Sequence, residues 1–248
     1  MDQNIVKAFA PTGVLRASIN TGNAVLAKAL GQGQAGGVSV NIAEQLAKAL
    51  GVDLELVVFD KAALSVQAVE EQRADIGFFA IDPKRADQIS FTHPYVLIEG
   101  AYVVRQESDI QDNDQVDATN HRIVVGQGSA YDLYLTRNIK HATLERTPSS
   151  QMVVQTFLDT EAQVAAGVRQ QLEFDLRERP FLRMLPGRFM VIRQAMGIHK
   201  SRGPEAAAFL REFVERVKAQ GLVQQFLDDH GIEGAGVAGP SDPADSPI

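Results

Sequence analysis

Residues 36–59 of the chain read GGVSVNIAEQLAKALGVDLELVVF, and this stretch decides the fold. Apolar residues recur at helical spacing along its first half, and these are Ile42, Leu46 and Ala49. The spacing predicts a helix over residues 38–50 that ends at Gly51, a residue suited to the left-handed position after a helix. Residues 54–59 are nearly all apolar, which predicts a strand buried on both faces. A helix followed at once by such a strand is typical of an α/β sheet.

Further strands and helices alternate on both sides of this stretch. Residues 15–20 predict a strand before it, and residues 62–73 and 76–79 predict a helix and a strand after it. The order β-α-β-α-β favours right-handed crossovers and a parallel sheet with helices on both sides.

A second series of elements begins after a long β-rich run at residues 95–105. The predicted elements are strands at 122–125, near 144 and at 164–167, helices at 130–138 and 149–158, an extended run at 189–198, and closing helices at 204–220 and 222–230. We therefore predict two α/β units joined by extended segments. Residues 234–248 have little to bury, so we expect a disordered tail there.

The composition excludes several classes of function. The 248 residues are 45% hydrophobic and 22% charged, as in an ordinary globular protein, and the formal charge is -7. With no basic run, nucleic acid is not an expected partner. The chain has no cysteine, which removes disulfides, thiolate metal sites and a cysteine nucleophile. Residues 1–11 lack the apolar core of a signal peptide, so we expect a soluble chain as it stands.

Motifs for catalysis are incomplete. Residues 37–41, GVSVN, begin like a nucleophile elbow but end in Asn, and they open a predicted helix. Residues 126–131 do not complete a dinucleotide-binding glycine pattern, because Tyr131 stands in place of the third glycine. The five histidines are scattered without metal-ligand spacing. We expect no catalytic residue, no metal and no cofactor.

Three segments together carry a family resemblance. They are residues 36–51, residues 74–85 (ADIGFFAIDPKR) and residues 91–95 (FTHPY), and weaker matches follow at 126–129, 196–200 and 219–221. In order and spacing they resemble the amino-acid-type (family 3) periplasmic solute-binding proteins of bacterial ABC importers, over roughly residues 15–231.

The resemblance implies a type II periplasmic-binding-protein fold, in which two α/β lobes are joined by two crossing strands. It places the crossings near residues 103–105 and 190–193. Lobe 1 is then expected to be discontinuous, residues 1–104 with 193–233, and lobe 2 to be residues 105–192. The ligand is expected in the cleft between the lobes, which agrees with ligand binding beyond the carboxyl ends of parallel strands.

The family's carboxylate-binding arginine corresponds to Arg85, whose planar guanidinium offers paired donors. The alternative is a solvated helix residue. Asp82 stands where the family often has Thr. It either caps a helix that starts at Pro83 or faces the ligand, where it could pair with Arg85 and compete with a ligand carboxylate.

Other positions depart from the family and put an ordinary amino-acid ligand in doubt. Phe79 and Ala80 are candidate ligand-binding residues of lobe 1. Ala80 lacks the side-chain hydroxyl that the family commonly has at this position. Val168 stands where an Asp would hold an α-ammonium group. Asn23 replaces a stacking aromatic residue, so it either hydrogen bonds to the ligand or forms a turn after Gly22.

The second lobe is expected to anchor the ligand through Gly128 and Ser129, whose backbone N–H groups and hydroxyl open a helix. Helix capping is the alternative for Ser129. Weaker candidates, each with a core or surface role as its alternative, are Tyr95, Glu99, Arg169 and Gln194.

The expected function is binding of a small polar, carboxylate-bearing metabolite by hinge closure, for ABC-type uptake or sensing. The expected partners are that ligand and the membrane permease of an ABC importer, with the protein itself a monomer. One alternative is an enzyme similar to cyclohexadienyl dehydratases, with Glu99 or Asp82 as the acid. Another is a cytosolic ligand sensor. The location is periplasmic if a leader has been removed and cytoplasmic otherwise.

Overall fold

The computed structural model of the chain describes residues 2–240. Its α-helices are α1 (Gln3–Phe9), α2 (Val38–Leu50), α3 (Ala62–Glu70), α4 (Ala130–Asn138), α5 (Val153–Asp159), α6 (Arg169–Leu176), α7 (Pro204–Ala219) and α8 (Leu222–Asp229). Its longer strands are β1 (Val14–Asn20), β4 (Asp53–Phe59), β5 (Ile76–Ala80), β7 (Val96–Arg105), β8 (Arg122–Gly126), β9 (Thr143–Thr147), β10 (Val164–Val168) and β12 (Met190–His199). Its short strands are β2 (Lys28–Gly31), β3 (Gln34–Gly36), β6 (Ile89–Phe91), β11 (Leu182–Met184) and β13 (Gly236–Val237).

The chain divides into two compact units. Of the described residues, 2–97 and 193–240 form unit 1, and 98–192 form unit 2. The chain therefore passes between the units twice, once within β7 and once within β12. From the sequence we expect the lobe boundaries after residues 104 and 192, and these boundaries remain predictions.

Unit 1 is built on strands in the order β4-β1-β5-β12. Strand β1 pairs in parallel with both β4 and β5, and β12 pairs antiparallel to β5. The carboxyl ends of β1, β4 and β5 therefore meet at one edge, which we call the unit 1 edge.

Helix α2 has the predicted bounds because its two ends are fixed by glycines. Gly37 has a φ of 124°, and a Cβ there would lie 2.6 Å from the backbone oxygen of Leu26. Gly51 adopts the left-handed conformation with a φ of 71°. The predicted face is confirmed for Ile42 and Leu46, which are buried, whereas Ala49 is half-buried.

Strand β4 corrects one expectation. Its residues are half-buried or exposed, although its apolar sequence predicts burial on both faces. The reason is its place at the end of the strand order, where it pairs with β1 alone.

Unit 2 contains the strand order β7-β10-β8-β9. Strand β8 pairs in parallel with β10 and β9, and β10 pairs antiparallel to β7. The amino-terminal part of β7 in this unit thus lies beside the carboxyl end of β10, where Gly100 pairs with Val168. We call the edge formed by the carboxyl ends of β8, β9 and β10 the unit 2 edge. Buried residues of β7, β8 and β10 form two apolar clusters with residues of the unit's helices.

The predicted tail differs from the structure in part. Gly236–Val237 pairs antiparallel with Leu97 and Val96 of β7, and Ala238 is buried. Lys218 donates to the carbonyl oxygen of Gly239 at 2.9 Å, so α7 also holds this segment. The rest of the predicted tail, residues 241–248, lies outside the described residues.

Candidate functional site

Arg85 lies at the unit 1 edge, in a single 3-10 turn, Arg85–Asp87, that follows β5. Its Nη1 donates to the carbonyl oxygen of Ala80, the last residue of β5, at 3.0 Å. Arg85 is only 5% exposed, so it is a buried guanidinium and not a solvated helix residue. A buried guanidinium needs hydrogen-bond acceptors, and the carbonyl oxygen of Ala80 is one of them.

Asp82 is also buried at this edge, with 3% exposure. Its Oδ1 accepts from the backbone N–H of Lys84 at 2.9 Å, and its carbonyl oxygen accepts from that of Ala86 at 2.9 Å. The carboxylate therefore stabilises the turn through Pro83. The sequence predicts an α-helix starting at Pro83, but the chain makes only the 3-10 turn before it enters β6.

Three other candidates of unit 1 lie among β5, β12 and the start of β7. Phe79 is buried, and its ring covers Gly77, where a Cβ would lie 2.0 Å from Cζ. Tyr95 is buried against Phe78, and burial raises the pKa of its hydroxyl above the usual value. Gln194 pairs with Ala80 across the two strands and is 6% exposed. Phe79 and Tyr95 thus pack in the interior of unit 1, whereas Gln194 lies at the level of the unit 1 edge.

Asn23 is half-buried in the turn that follows β1. Its carbonyl oxygen accepts from the backbone N–H groups of Leu26 and Ala27 at 3.0 and 3.1 Å, so its main chain forms the turn. The preceding Gly22 leaves no space for a side chain, because a Cβ there would lie 2.5 Å from the oxygen of Asp60. The turn therefore lies directly against the end of β4.

A pocket of about 360 Å³ lies beside the carboxyl ends of β1 and β4. The hairpin of β2 and β3 forms one wall. Its lining residues are Thr21, Ala29, Gly31, Gln32, Gly33, Gln34, Val58, Phe59 and Asp60. The sequence patterns did not reveal this pocket, because the hairpin strand β2 is exposed and carries no apolar alternation.

At the unit 2 edge, Gly128 and Ser129 open helix α4. Ser129 is its N-cap, and its hydroxyl accepts from the backbone N–H of Asp132 at 3.0 Å. In return, Oδ2 of Asp132 accepts from the backbone N–H of Gly128 at 2.8 Å. Asp132 is 4% exposed and forms an ion pair of 3.0 Å with Arg146. At the predicted anion-binding position, the backbone N–H of Gly128 thus donates to a carboxylate of the same helix.

Glu99 and Arg169 meet at the same edge. Nε of Arg169 donates to Oε2 of Glu99 at 2.8 Å, and Nη1 of Arg188 donates to Oε1 at 2.7 Å. Hydrogen bonds from Arg188 and then Arg169 hold the pKa of Glu99 below its usual value, against the opposing effect of burial. Arg169 also donates to the sulfur of Met184 and to the carbonyl oxygen of Gly187. We call Glu99, Arg169 and Arg188 the edge cluster.

Val168 is the half-buried N-cap residue of α6, and no side chain caps this helix end. Val168, which the sequence resemblance aligns with an ammonium-binding Asp, is thus an apolar residue followed by the cation of Arg169. The sequence analysis singled out Val168, Glu99 and Arg169 as candidates, but not Asp132 or Arg188. The partner of Arg188, Glu99, is 89 residues away in the chain, whereas Asp132 lies only three residues from Ser129.

No grouping of three or more His, Asp or Glu side chains suited to a metal ion occurs within residues 2–240. None of the helices in that part of the chain has the length and apolar character needed to cross a bilayer.

Residues 23–231 match the family of bacterial extracellular solute-binding proteins, family 3. The chain belongs to this family. The resemblance inferred from residues 36–51, 74–85 and 91–95 is thereby confirmed. The family comprises solute-binding proteins that bind small ligands and work with ABC transporter permeases.

Several solved structures share the fold of this solute-binding protein. An L-cysteine solute receptor of Neisseria gonorrhoeae has a TM-score of 0.79 and 20% identity, covering 92% of this chain and 94% of its own. A lysine-bound ABC transporter component of Wolinella succinogenes has a TM-score of 0.75 and 20% identity, covering 88% and 95%. An ancestral amino acid-binding protein, a precursor of cyclohexadienyl dehydratase, has a TM-score of 0.76 and 16% identity, covering 90% and 97%.

A search of the curated proteins gives no match. The fold class predicted from the sequence, the type II periplasmic-binding-protein fold, is confirmed. At these identities the solved structures establish the fold of the solute-binding protein and leave its ligand to be argued from its own residues.

Proposed function

We propose that the protein binds a small carboxylate-bearing metabolite that lacks a free α-ammonium group, for ABC-type uptake or sensing. Arg85 supports the proposal that the ligand bears a carboxylate. Its guanidinium is buried and is oriented by the carbonyl oxygen of Ala80, at the edge where parallel α/β sheets bind ligands. A planar guanidinium matches the two oxygens of a carboxylate in geometry and charge.

The charges of the unit 2 edge support the proposal that the ligand lacks a free α-ammonium group. A carboxylate that is already paired with arginine balances an α-ammonium group poorly, and both Glu99 and Asp132 form ion pairs with arginine. Val168 supplies no charge, and the residue after it is Arg169. Introducing an ammonium group here would mean desolvating a cation without a matching anion, which costs free energy. The amino-acid ligands named for the solved structures therefore do not transfer directly to this chain.

The residues favour binding over the dehydratase-like alternative. Glu99 accepts from two guanidinium groups, which lowers its pKa and leaves it without a proton to donate at neutral pH. Asp82 is engaged by the backbone N–H of Lys84. A candidate ligand incubated overnight with the protein should be recovered unchanged. Conversion of the ligand at a rate above a protein-free control would contradict a purely binding role.

A thermal-shift screen with matched pairs tests the proposal. Each pair consists of an α-amino acid and the acid with the same carbon skeleton but no amino group, for example L-glutamate and glutarate. A ligand at 100 times its dissociation constant adds about 2.7 kcal/mol to the stability. We expect stabilisation by the deaminated acid of at least one pair and little effect of the amino acids. Micromolar binding of any common amino acid, measured by calorimetry, would overturn the proposal.

A further inference from the structure

We propose that unit 1 has a further binding site, in the pocket of about 360 Å³ beside the carboxyl ends of β1 and β4, and that this site takes a small primary alkylammonium compound. We call it the hairpin pocket, because the hairpin of β2 and β3 forms one wall. Its lining residues all belong to unit 1. The volume is at the lower end of the range for small-molecule sites, which suits a short ligand. The inference goes beyond the proposed function, which concerns a carboxylate ligand.

The charge of the hairpin pocket comes from Asp60, the residue directly after β4. Its side chain is exposed, and its carboxylate has no hydrogen-bond or ion-pair partner among residues 2–240. Lys28 and Lys61 are close to lining residues in sequence, but neither of them lines the pocket. A carboxylate without a matching cation favours a positively charged ligand and disfavours an anion.

The turn of the hairpin holds a side chain that its backbone conformation does not favour. Gly31 pairs with Gln34, and the two residues between them, Gln32 and Gly33, have φ values of 50° and 77°. Positive φ at both central positions is typical of a type I′ turn, where Asn or Gly is preferred at the first of them. The side chain of Gln32 is exposed and has no partner within the described part of the chain. A ligand contact accounts for this residue, because its amide oxygen can accept from an ammonium group.

Much of the remaining wall is apolar, and it includes Ala29, Val58 and Phe59. Phe59 is half-buried, and the guanidinium carbon of Arg73 lies 6.0 Å from the centroid of its ring. Arg73 pairs with Glu71 at 2.8 Å, so its charge is balanced. Methylene groups can pack on such a wall, which favours an ammonium group on an aliphatic chain over a compact ion.

A metal ion fits the hairpin pocket less well than an organic cation. Asp60 is the one carboxylate among the lining residues. Calcium takes about six to eight oxygen ligands, and magnesium usually needs carboxylates or phosphates as well as water. Residues 2–240 contain no grouping of three or more acids or histidines that could supply such ligands.

NMR titrations of the nitrogen-15-labelled full chain test the inference. The probes are n-butylamine, methylamine and n-butanol, at neutral pH and constant ionic strength. We expect n-butylamine to shift the backbone amide signals of Thr21 and residues 31–34 in a saturable way. It should bind about fourfold more tightly than methylamine for each methylene group that it buries. The uncharged n-butanol should bind about threefold to tenfold more weakly than n-butylamine. Signals that do not shift, or that shift without saturation, would overturn the inference.

Two aspartates near opposite ends of β4 give matched variants. D60N removes the charge of the hairpin pocket and keeps the shape, so n-butylamine should bind about threefold to tenfold more weakly while n-butanol binds as before. The control is D53N, because Asp53 is also exposed and begins the same strand. D53N removes the same charge and should keep the wild-type affinity. Equal losses in the two variants would reduce the effect to net charge and overturn the role of Asp60.

A third variant tests the turn. Q32G removes the amide, and it suits the backbone, because glycine adopts a positive φ without steric cost. We expect the hairpin to stay folded and n-butylamine to bind more weakly. Wild-type affinity in Q32G would overturn the role of Gln32.

A last probe distinguishes a free amine from a lysine side chain of a partner protein. N-acetyl-lysine N-methylamide carries the same butylammonium group on a peptide backbone, and we expect it to bind no more tightly than n-butylamine. Binding that is about tenfold tighter would mean that the site takes a protein side chain, and the small-molecule assignment would be wrong. None of the probes has a carboxylate, so their failure leaves the proposed function unaffected.

Discussion

The carboxylate of Asp132 accepts a hydrogen bond of 2.8 Å from the backbone N–H of Gly128, at the point where the sequence predicts an anion anchor. The hydroxyl of Ser129 accepts in turn from the backbone N–H of Asp132. The two contacts form a reciprocal cap at the start of α4. The backbone N–H of Gly128 thus donates to a carboxylate of the same helix. This helix end is therefore less available to an anionic ligand than the sequence predicts.

The cap is expected to contribute to stability. In Asp132→Ala the half-buried N–H of Gly128 loses the carboxylate oxygen that accepts from it, and Arg146 loses its ion pair. We expect the free energy of unfolding to fall by about 1–3 kcal/mol, measured by urea denaturation. D132N retains an acceptor oxygen of the same shape, so it should lose less. An equal loss in D132A and D132N would mean that the charge on Arg146, and not the cap, determines the effect.

Arg85 should be required for binding of any carboxylate ligand. In Arg85→Ala we expect affinity to fall by roughly 1.5–3 kcal/mol, or about tenfold to a hundredfold or more. R85K keeps the charge but loses the planar group that donates to the oxygen of Ala80, so it should restore only part of the affinity. The measurement is calorimetry on variants whose thermal midpoints are first compared. Unchanged affinity in R85A would remove the carboxylate assignment.

Much of the α/β framework was predictable because it is local or periodic in sequence. Helix α2 follows from its apolar spacing and from Gly51, and its bounds match the prediction. Other elements lack such a signal. Helix α6 is largely polar, and strand β13 is a two-residue element whose pairing with β7 depends on residues far apart in sequence. Such elements are specified by tertiary contacts, so no local pattern predicts them.

In the candidate site, too, a local sequence motif indicates some residues and not others. The family resemblance pointed to Arg85 through a contiguous motif. Arg188 could not be found from a motif, since its partner Glu99 is 89 residues away in the chain. Asp132 is only three residues from Ser129 and lies in the first turn of α4. An acidic residue at this place can form a reciprocal cap with an N-cap serine, and the sequence analysis did not use this signal.

The edge cluster should make stability depend on pH in the acidic range. The pKa of Glu99 is lowered from 4.5, mainly by Arg188. A carboxyl with a lowered folded-state pKa stabilises the folded state above its unfolded pKa, and this contribution is lost as pH falls through the folded value. The difference in unfolding free energy between the wild type and E99Q should therefore be present at neutral pH and shrink below about pH 4.5.

Urea denaturation at neutral and acidic pH measures this dependence. Glu178→Gln serves as the control, because it removes an exposed carboxylate of the same unit. E178Q should differ little from the wild type at either pH. A stability difference for E99Q that stays constant down to acidic pH would show that the ion pairs do not contribute.

Hinge motion on ligand binding, as expected from the sequence, would change the radius of gyration. The chain passes between the units within β7 and within β12, and such connections can absorb the backbone changes of hinge motion. If the closed form has the higher affinity, ligand shifts the population towards it. We expect the radius of gyration from small-angle scattering to decrease on saturation with the acid found by the screen. A radius that stays constant would contradict hinge closure.

Val168→Asp should change the class of ligand. Aspartate is a favourable N-cap residue, and α6 has no side-chain cap, so this substitution is expected to leave folding intact or to stabilise the helix by about 1 kcal/mol. It also places a carboxylate at the position that the sequence resemblance aligns with an ammonium-binding Asp. Binding of the α-amino acid should strengthen relative to the acid of the same carbon skeleton, by about tenfold in the ratio of affinities.

V168N separates the charge from the cap. Asparagine caps the helix as well as aspartate does and has nearly the same shape, but it carries no charge. Calorimetry with the best-binding acid of the screen and its α-amino counterpart should give a changed ratio in V168D and the wild-type ratio in V168N. If both variants change the ratio equally, the apolar side chain of Val168 excludes amino acids by shape. If neither changes it, Val168 does not contact the ligand, and the preference for acids without an ammonium group must come from the arginines of the edge cluster.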